Sequence, residues 1–191
     1  ILPVDSEHSA VFQSLQGYPN TIKKILLTAS GGPFFGKTRD EIYNAPVSST
    51  LKHPNWNMGA KVTVDSASMM NKGFEVIEAS WLFGVKPEDI CVMVHRQSIV
   101  HSMVQFEDNA VIAQLSVPDM KLPIAYALQY PKRRYCGMKE LDLFEVQSLT
   151  FEKPDLESFP CLRLAFEAMK TGGSMPCVMN AANEIAVAKY L

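Results

Sequence analysis

Val64-Asp65-Ser66-Ala67-Ser68-Met69-Met70-Asn71-Lys72-Gly73-Phe74-Glu75 is the stretch that decides how the rest of the chain is read. It sets serine hydroxyls, an amide, an ammonium, a glycine and a carboxylate within about three helical turns of one another. Ser66, Asn71 and Lys72 are the residue types that hold a phosphate, short donors and one point charge. Glu75 lies four residues after Asn71 and three after Lys72, so a helix beginning near Met70 brings all three to nearly one face. Phe74, Ile77, Trp81 and Leu82 then form the apolar stripe of that helix. A phosphate near the helix start would also meet the positive end of its dipole. The plain alternative is an amphipathic helix with a solvated Lys-Glu face, and the stretch by itself favours that alternative.

On the N-terminal side, Lys61 to Asp65 alternates like a strand, yet it lies too close to the helix for a strand to be assigned. Leu51 to Gly59 is a loop by its proline, asparagine and glycine content. Its Trp56 and Met58 supply apolar area that can exclude water over a ligand, although packing of Trp56 on the core explains the same residues. Thr38 to Tyr43 opens with a cap and two acids and predicts a short helix, ended by Pro46. Ile22 to Ala29 reads as a buried strand running into Ser30-Gly31-Gly32-Pro33. Two glycines there let backbone N–H groups turn toward an anion, with Ser30 adding a hydroxyl. A tight turn is the plainer reading, and the GxxxxGK[ST] spacing of nucleotide loops is absent. Gly17 to Asn20 predicts a turn. Ile1 to Val4 reads as a strand end leading into Asp5-Ser6-Glu7-His8 and a helix carrying Ala10, Val11, Phe12 and Leu15. Asp5 or Ser6 caps that helix. Asp5 and Glu7 are therefore either cap and first-turn acid or hard oxygen ligands for Mg²⁺ or Mn²⁺. His8 is read as structural or as a donor in the site wall.

On the C-terminal side, Gly84 and Pro87 end the helix. Ile90–Val94, Ile99–Phe106 and Ala110–Ser116 predict three strands, the last two joined by a turn at Glu107-Asp108-Asn109, as the antiparallel part of a sheet. His95 and His101 at its first corner form no metal motif and are assigned to sheet-end packing or a subunit contact. Helices follow from Pro118 through Leu128, from Cys161 to Lys170 and from Pro176 to Leu191, with a short strand around Leu149 to Phe151 and a solvated basic cluster at Lys132-Arg133-Arg134. The fold class is α+β: a mixed, largely antiparallel sheet of about four strands with helices packed on one face.

The chain has 191 residues, 47% of them hydrophobic and 20% charged, enough for one well-buried domain. A net charge of -2 gives no broad basic field for nucleic acid, and no apolar run is long enough to cross a membrane. Cys91, Cys136, Cys161 and Cys177 show no metal spacing and read as reduced, mostly buried thiols in a reducing compartment. No leader opens the chain, and both ends read as cuts through a larger protein. Taken together, the pieces predict a divalent-metal site beside a phosphate pocket. Asp5, Glu7 and Glu75 would hold the metal, and Lys72 with the Gly31-Gly32 nest would hold the phosphate of a small chelating substrate.

Five motifs, in order along the whole chain, resemble those of the 1-deoxy-D-xylulose 5-phosphate reductoisomerase family. They are Pro3-Val4-Asp5-Ser6-Glu7-His8, Ala29-Ser30-Gly31-Gly32-Pro33-Phe34, His53-Pro54-Asn55-Trp56-Asn57-Met58-Gly59, the opening stretch Val64 to Glu75, and Asn180-Ala181-Ala182-Asn183-Glu184-Ile185-Ala186-Val187. The resemblance implies NADPH- and Mg²⁺- or Mn²⁺-dependent formation of 2-C-methyl-D-erythritol 4-phosphate in the non-mevalonate isoprenoid pathway. It implies that Asp5, Glu7 and Glu75 ligate the metal and that Ser6 and Glu7 touch the sugar. Ser30, Ser66, Asn71 and Lys72 would contact the substrate, mainly its phosphate. His53 would lie on a flap near residues 51–60, with Trp56 and Met58 covering the substrate, and Gly59 would approach the nicotinamide. Glu7, Lys72 and His53 are the implied catalytic residues. The resemblance further implies a homodimer in bacterial cytoplasm or a plastid-type organelle, with no nucleic-acid or membrane partner. Residues 1–191 would be the central catalytic and dimerisation domain, with a Rossmann domain before Ile1 and a helical domain after Leu191. One departure stands out: Arg96 follows His95 where the family usually has proline. Two rival readings stay open, a phosphosugar isomerase or aldolase without nicotinamide and a non-catalytic phosphate-binding module.

Overall fold

The computed structural model describes residues 1–17 and 22–191, so most of the turn expected at Gly17 to Asn20 lies outside the described residues. Strand β1 (Ile22–Ala29) is central, because its apolar residues can be buried between neighbours on both sides. The sheet order is β2-β1-β3-β4, with β2 at Ile90–Val94, β3 at Val100–Phe106 and β4 at Val111–Leu115. β1 pairs antiparallel with β3, and β3 pairs antiparallel with β4. β2 departs from the antiparallel expectation: it runs parallel to β1, with Ile25 opposite Ile90 and Ala29 opposite Val94. A chain of helices joins β1 to β2 and returns the backbone to the same end, which parallel pairing requires. Residues 95–99 then cross over the C-terminal end of β1 to reach β3, and the His95 N–H donates to the Ala29 carbonyl at 2.7 Å. That crossing creates a crevice at the ends of two parallel strands, where open sheets commonly bind ligands.

Helix α1 (Ser6–Ser14) is capped by Asp5, whose carboxylate accepts the Glu7 N–H at 3.4 Å. Ile1 to Val4 pair with no strand among the described residues, and Ile1, Leu2 and Val4 are exposed, contrary to the strand expected there. The capping box Thr38–Glu41 starts α2 (Arg39–Tyr43), and Pro46 caps a further short helix, α3 (Val47–Thr50), instead of only ending the first. The undecided segment is helical: α4 spans Ala60–Ala67, tied internally by Lys61 to Asp65 at 2.7 Å. α5 spans Met70–Phe83 and ends on Gly84 in the left-handed conformation. Between them Met69 is left-handed (φ 61°) and buried, so the decisive stretch is a corner between two helices.

The buried stripe of α5 differs from the one expected. Gly73, Val76 and Ala79 face inward, while Trp81 is 83% exposed and Leu82 37%. The cause is α8 (Pro160–Thr171), which packs so close that a Cβ on Gly73 would stand 2.8 Å from Ala165 Cβ. Val11, Ile25, Leu27, Val76, Val104 and Leu162 are completely buried in one core joining α1, the sheet, α5 and α8. Each such side chain contributes about 1.5–3 kcal/mol by leaving water. The remaining helices are α6 (Lys121–Gln129), α7 (Leu143–Val146) and α9 (Met175–Tyr190). The strand expected near Leu149 reduces to one bridge, Val94 to Glu152. The cysteines are free, as expected, but not mostly buried: Cys91 and Cys177 are exposed, Cys136 and Cys161 half-buried. No described helix is long and apolar enough to cross a membrane.

The tight approach at Gly73 sets a stability test. Gly73→Ala gains about 1 kcal/mol of helix propensity but overpacks the α5–α8 contact, at about 1–3 kcal/mol. We expect a net loss of about 1 kcal/mol in urea unfolding. Adding Ala165→Gly should make the double variant less destabilised than the sum of the single changes; strict additivity would place the clash elsewhere.

Candidate active site

The N-terminus of α1, the first turn of α5 and the crevice at the end of β1 converge on one cavity of about 360 Å³. Asp5 and Glu7 reach it from α1, and Asn71, Lys72 and Glu75 from α5. Carboxylate oxygens of Asp5, Glu7 and Glu75 lie within 4.8 Å of one another. The Lys72 ammonium sits between two of them, 2.9 Å from Glu7 Oε1 and 2.5 Å from Glu75 Oε2. Asn71 Nδ2 donates to Glu75 Oε1 at 2.7 Å, and Ser6 Oγ donates to Glu7 Oε2 at 2.5 Å.

Three carboxylates share one ammonium, and their proton affinities show the imbalance. Burial, then the charge of Glu7, pushes the Asp5 carboxyl up to about 7. Burial pushes Glu7 up too, but Lys72 and its hydrogen bonds outweigh this and bring it down to about 2. Glu75 is raised well above the ordinary range, by burial first and then by Glu7. Burial opposes the Lys72 charge, yet Glu7 and Glu75 hold its proton more firmly than usual. A cluster of hard oxygens short of positive charge, with Glu75 buried and Asp5 and Glu7 open to the cavity, fits a divalent cation such as Mg²⁺ or Mn²⁺.

The opposite wall is built by the loop after β1. Gly31 and Gly32 are both left-handed (φ 77° and 66°), and a Cβ on Gly32 would meet the Ser66 carbonyl at 2.8 Å. The glycine pair thus lets this loop press on the end of α4, which brings Ser30 and Ser66 to the same cavity. His53 Nδ1 accepts the N–H groups of Asn55 (3.1 Å) and Trp56 (2.9 Å), so the neutral ring carries its proton on Nε2 and donates to Ser30 Oγ at 2.9 Å. Burial, then the Arg96 charge, lowers the pKa of His53 against an opposing pull from Glu7. Residues 51–59 arch over this wall, with Trp56 and Met58 half-buried and facing the cavity. The Trp56 and His101 rings lie 6.1 Å apart.

The residues expected to hold metal and substrate line this cavity, except Gly32 of the expected phosphate nest; Gly59, the expected cofactor contact, does not line it either. It is the exposed cap of α4, with open space where a side chain would stand. His8 is buried, pairs with Glu78 at 2.9 Å and meets the Phe83 ring edge-on, which suits its structural reading. Asp5, His8 and Glu78 also form a second group of ligating atoms within 4.8 Å, sharing Asp5 with the first. His95 packs at the sheet end and also lines the cavity: its Nε2 accepts the Ile99 and Val100 N–H groups, each at 3.1 Å, and its ring stacks on Phe151. His101, read as packing too, also lines the cavity and bonds Ser116 Oγ at 2.9 Å. Burial lowers its pKa. On β3 it alternates with Met103 and Gln105, opposite the core-facing Val104 and Phe106, so local alternation gives no sign that it is buried in a cavity wall.

Two family models match the chain: the 1-deoxy-D-xylulose 5-phosphate reductoisomerase C-terminal domain over residues 1–83, and the DXP reductoisomerase C-terminal domain over residues 115–191. The 1-deoxy-D-xylulose 5-phosphate reductoisomerase of Acetivibrio thermocellus is 60% identical over 100% of this chain and 50% of its own length. That of Bacteroides thetaiotaomicron is 61% identical over 100% and 49%. A crystal structure of DOX-P reductoisomerase in complex with NADPH, fosmidomycin and magnesium superposes with a TM-score of 0.96 at 47% identity, covering 100% of this chain and 49% of that one. The Zymomonas mobilis 1-deoxy-D-xylulose 5-phosphate reductoisomerase in complex with NADPH gives 0.92 at 45% identity, covering 99% and 49%. The chain spans about half the length of the curated relatives it matches. On the agreement of both family models and of relatives aligned from end to end, the chain belongs to the 1-deoxy-D-xylulose 5-phosphate reductoisomerase family.

Proposed function

We propose that this chain is the catalytic part of an enzyme that isomerises and reduces 1-deoxy-D-xylulose 5-phosphate to 2-C-methyl-D-erythritol 4-phosphate with NADPH. The observation that carries the reading is the under-neutralised Asp5–Glu7–Glu75 cluster opening onto the same cavity as Ser30, Ser66, Asn71 and Lys72. One end of the cavity suits a divalent cation and the other an anion, and a ketose phosphate with adjacent oxygens carries both features. Relatives whose structures hold magnesium, NADPH and fosmidomycin support it.

Asp5, Glu7 and Glu75 would hold Mg²⁺ or Mn²⁺, which supplies Lewis acidity at the substrate's carbonyl and hydroxyl oxygens. NADPH, when bound, would supply the hydride for the reduction, and Gly59 is the residue proposed to approach its nicotinamide. This chain's residues orient the sugar and keep water out. Ser6 and Glu7 face the sugar oxygens. Lys72 spends two of its three donors on Glu7 and Glu75 and keeps one for a phosphate oxygen. Asn71 likewise keeps one amide hydrogen beyond its bond to Glu75. Ser30 accepts from His53 and Gly32, so its hydroxyl proton is available to the same anion. Trp56 and Met58 cover the pocket, and fixing the phosphate lets binding energy be used for orientation at the reacting carbons. Residues 1–191 would then act as the catalytic and dimerising region of a homodimer, in bacterial cytoplasm or a plastid-type organelle.

The test is NADPH consumption by the full-length protein, required to depend on both 1-deoxy-D-xylulose 5-phosphate and Mg²⁺ or Mn²⁺. Consumption of the ketose phosphate without NADPH would instead favour an isomerase or aldolase. Mn²⁺ binding, read by EPR, should tighten as pH rises through about 7, because Asp5 must lose its proton to ligate. Below that pH the affinity should fall about tenfold per unit for each proton displaced, and Glu75→Gln should abolish specific binding. A pH-independent affinity would remove Asp5 from the ligand set. Lys72→Gln should weaken phosphorylated ligands by about tenfold or more while sparing unphosphorylated analogues. Equal losses for both would assign Lys72 to the carboxylates alone.

A further inference from the structure

Arg96 lies outside the cavity, yet it grips two of the cavity's walls. Its Nη1 donates to the Ser30 carbonyl at 2.5 Å and to the Gly32 carbonyl at 2.7 Å. Its guanidinium lies over the Phe35 ring, 5.0 Å from the centroid, so the whole turn from Ser30 to Phe35 is held by one side chain. Its own carbonyl accepts Asn55 Nδ2 at 2.8 Å, and the same amide donates to Ser98 Oγ at 2.7 Å. Asn55 belongs to the covering loop, and its own N–H, with that of Trp56, fixes the His53 ring.

A loop with two successive left-handed glycines is costly to order, because glycine has the most backbone freedom to lose. Within the loop itself, the Gly32 N–H donating to Ser30 Oγ at 3.2 Å is a single neutral restraint on Ser30. A planar cation bridging two carbonyls adds to it, and charge-assisted bonds are roughly twice as strong as neutral ones. We propose that Arg96 is a positioning residue for the anionic end of the substrate. It clamps the Ser30–Gly32 loop by its carbonyl side, so that the Ser30 hydroxyl, already accepting from His53 and Gly32, keeps its proton aimed at a phosphate oxygen. The contact to Asn55 uses only the Arg96 backbone, so changing the side chain releases the loop and leaves the cover attached. This inference rests on the function proposed above.

The experiment compares wild type with Arg96→Ala, Arg96→Gln and Arg96→Lys in the full-length enzyme, with inorganic phosphate as the independent probe. In the Ala and Gln variants, KM for 1-deoxy-D-xylulose 5-phosphate and the inhibition constant for inorganic phosphate should both rise about tenfold. KM for NADPH and the affinity for Mn²⁺ should stay within about twofold. Arg96→Lys should recover most of the loss, since an ammonium can also bridge two carbonyls. Unchanged phosphate inhibition in a folded Gln variant overturns the proposal, as does a loss spread evenly over phosphate, Mn²⁺ and NADPH. A wild type that neither turns over the substrate nor binds phosphate overturns the functional reading and this inference together. An active wild type with indifferent variants overturns the inference alone. If Arg96→Ala does not fold, the Gln and Lys pair decides.

Discussion

The Lys72 ammonium, held between Glu7 and Glu75, is the interaction on which the rest of the arrangement depends. It joins the first turn of α1 to the first turn of α5, across 65 residues of sequence. Lys72 is 5% exposed and Glu75 2%, so neither charge has water to fall back on. Breaking such a buried pair costs about 3–5 kcal/mol, most of it the price of the charge left behind. The pair is therefore tolerated only because the neighbouring core fixes both helices: Val11 on α1 and Val76 on α5 are fully buried in the same cluster. Packing sets the helices, and the helices set the charges. Glu7 and Glu75 already outnumber the one ammonium, and Asp5 leaves the ionised cluster two positive charges short, which is poor for stability and favourable for taking up a cation.

The histidines around the cavity follow a different logic from the acids. His53 and His95 each spend one ring nitrogen accepting two backbone N–H groups, which fixes the neutral tautomer and the direction of the remaining N–H. The pKa of His53 is lowered by burial and by Arg96. A ring locked in this way is a poor proton shuttle and a good ruler. His53 aims one donor at Ser30 Oγ, and His95 aims one at the Thr150 carbonyl.

The sequence was most legible where one rule acted alone. The strand Ile22–Ala29 and the helix Met70–Phe83 appear with the bounds that periodicity and the flanking glycines predict. Asp5 and Thr38 cap the helices their side chains predict. Legibility failed where tertiary contacts decide. The inward face of α5 is set by Gly73 against Ala165, a contact between residues 92 apart, and not by where its largest apolar side chains fall. Val62 and Val64 alternate in a helix because Lys61 and Asp65 lie one turn apart and pair. The parallel pairing of β2 depends on how the helical crossover returns, which no local pattern records. The site was legible for a related reason: caps, glycines and acids are local features, and the family motifs keep them in order. His101 was missed as a cavity residue because its importance comes entirely from the strand next to it.

The motif from Asn180 to Val187 shows how a distant segment braces the cavity without lining it. Asn183 Nδ2 donates to Asp65 Oδ1 at 2.8 Å, and Glu184 meets Lys61 at 3.1 Å. Lys61 also bonds Asp65 and lies over the Phe74 ring, so α9 holds α4 and α4 is held against α5. Asp65 is 1% exposed, and both its oxygens are engaged in this way. The left-handed residue Met69 stands two residues beyond the end of α4. A non-glycine residue there costs about 1–3 kcal/mol and persists only where its surroundings over-determine it. The α9 contacts supply that constraint. They fix the end of α4 that carries Ser66, while the first turn of α5 is fixed independently by the charges of Lys72. The corner between them is held from both sides, and in that way two helices present a serine, an amide and an ammonium to one cavity.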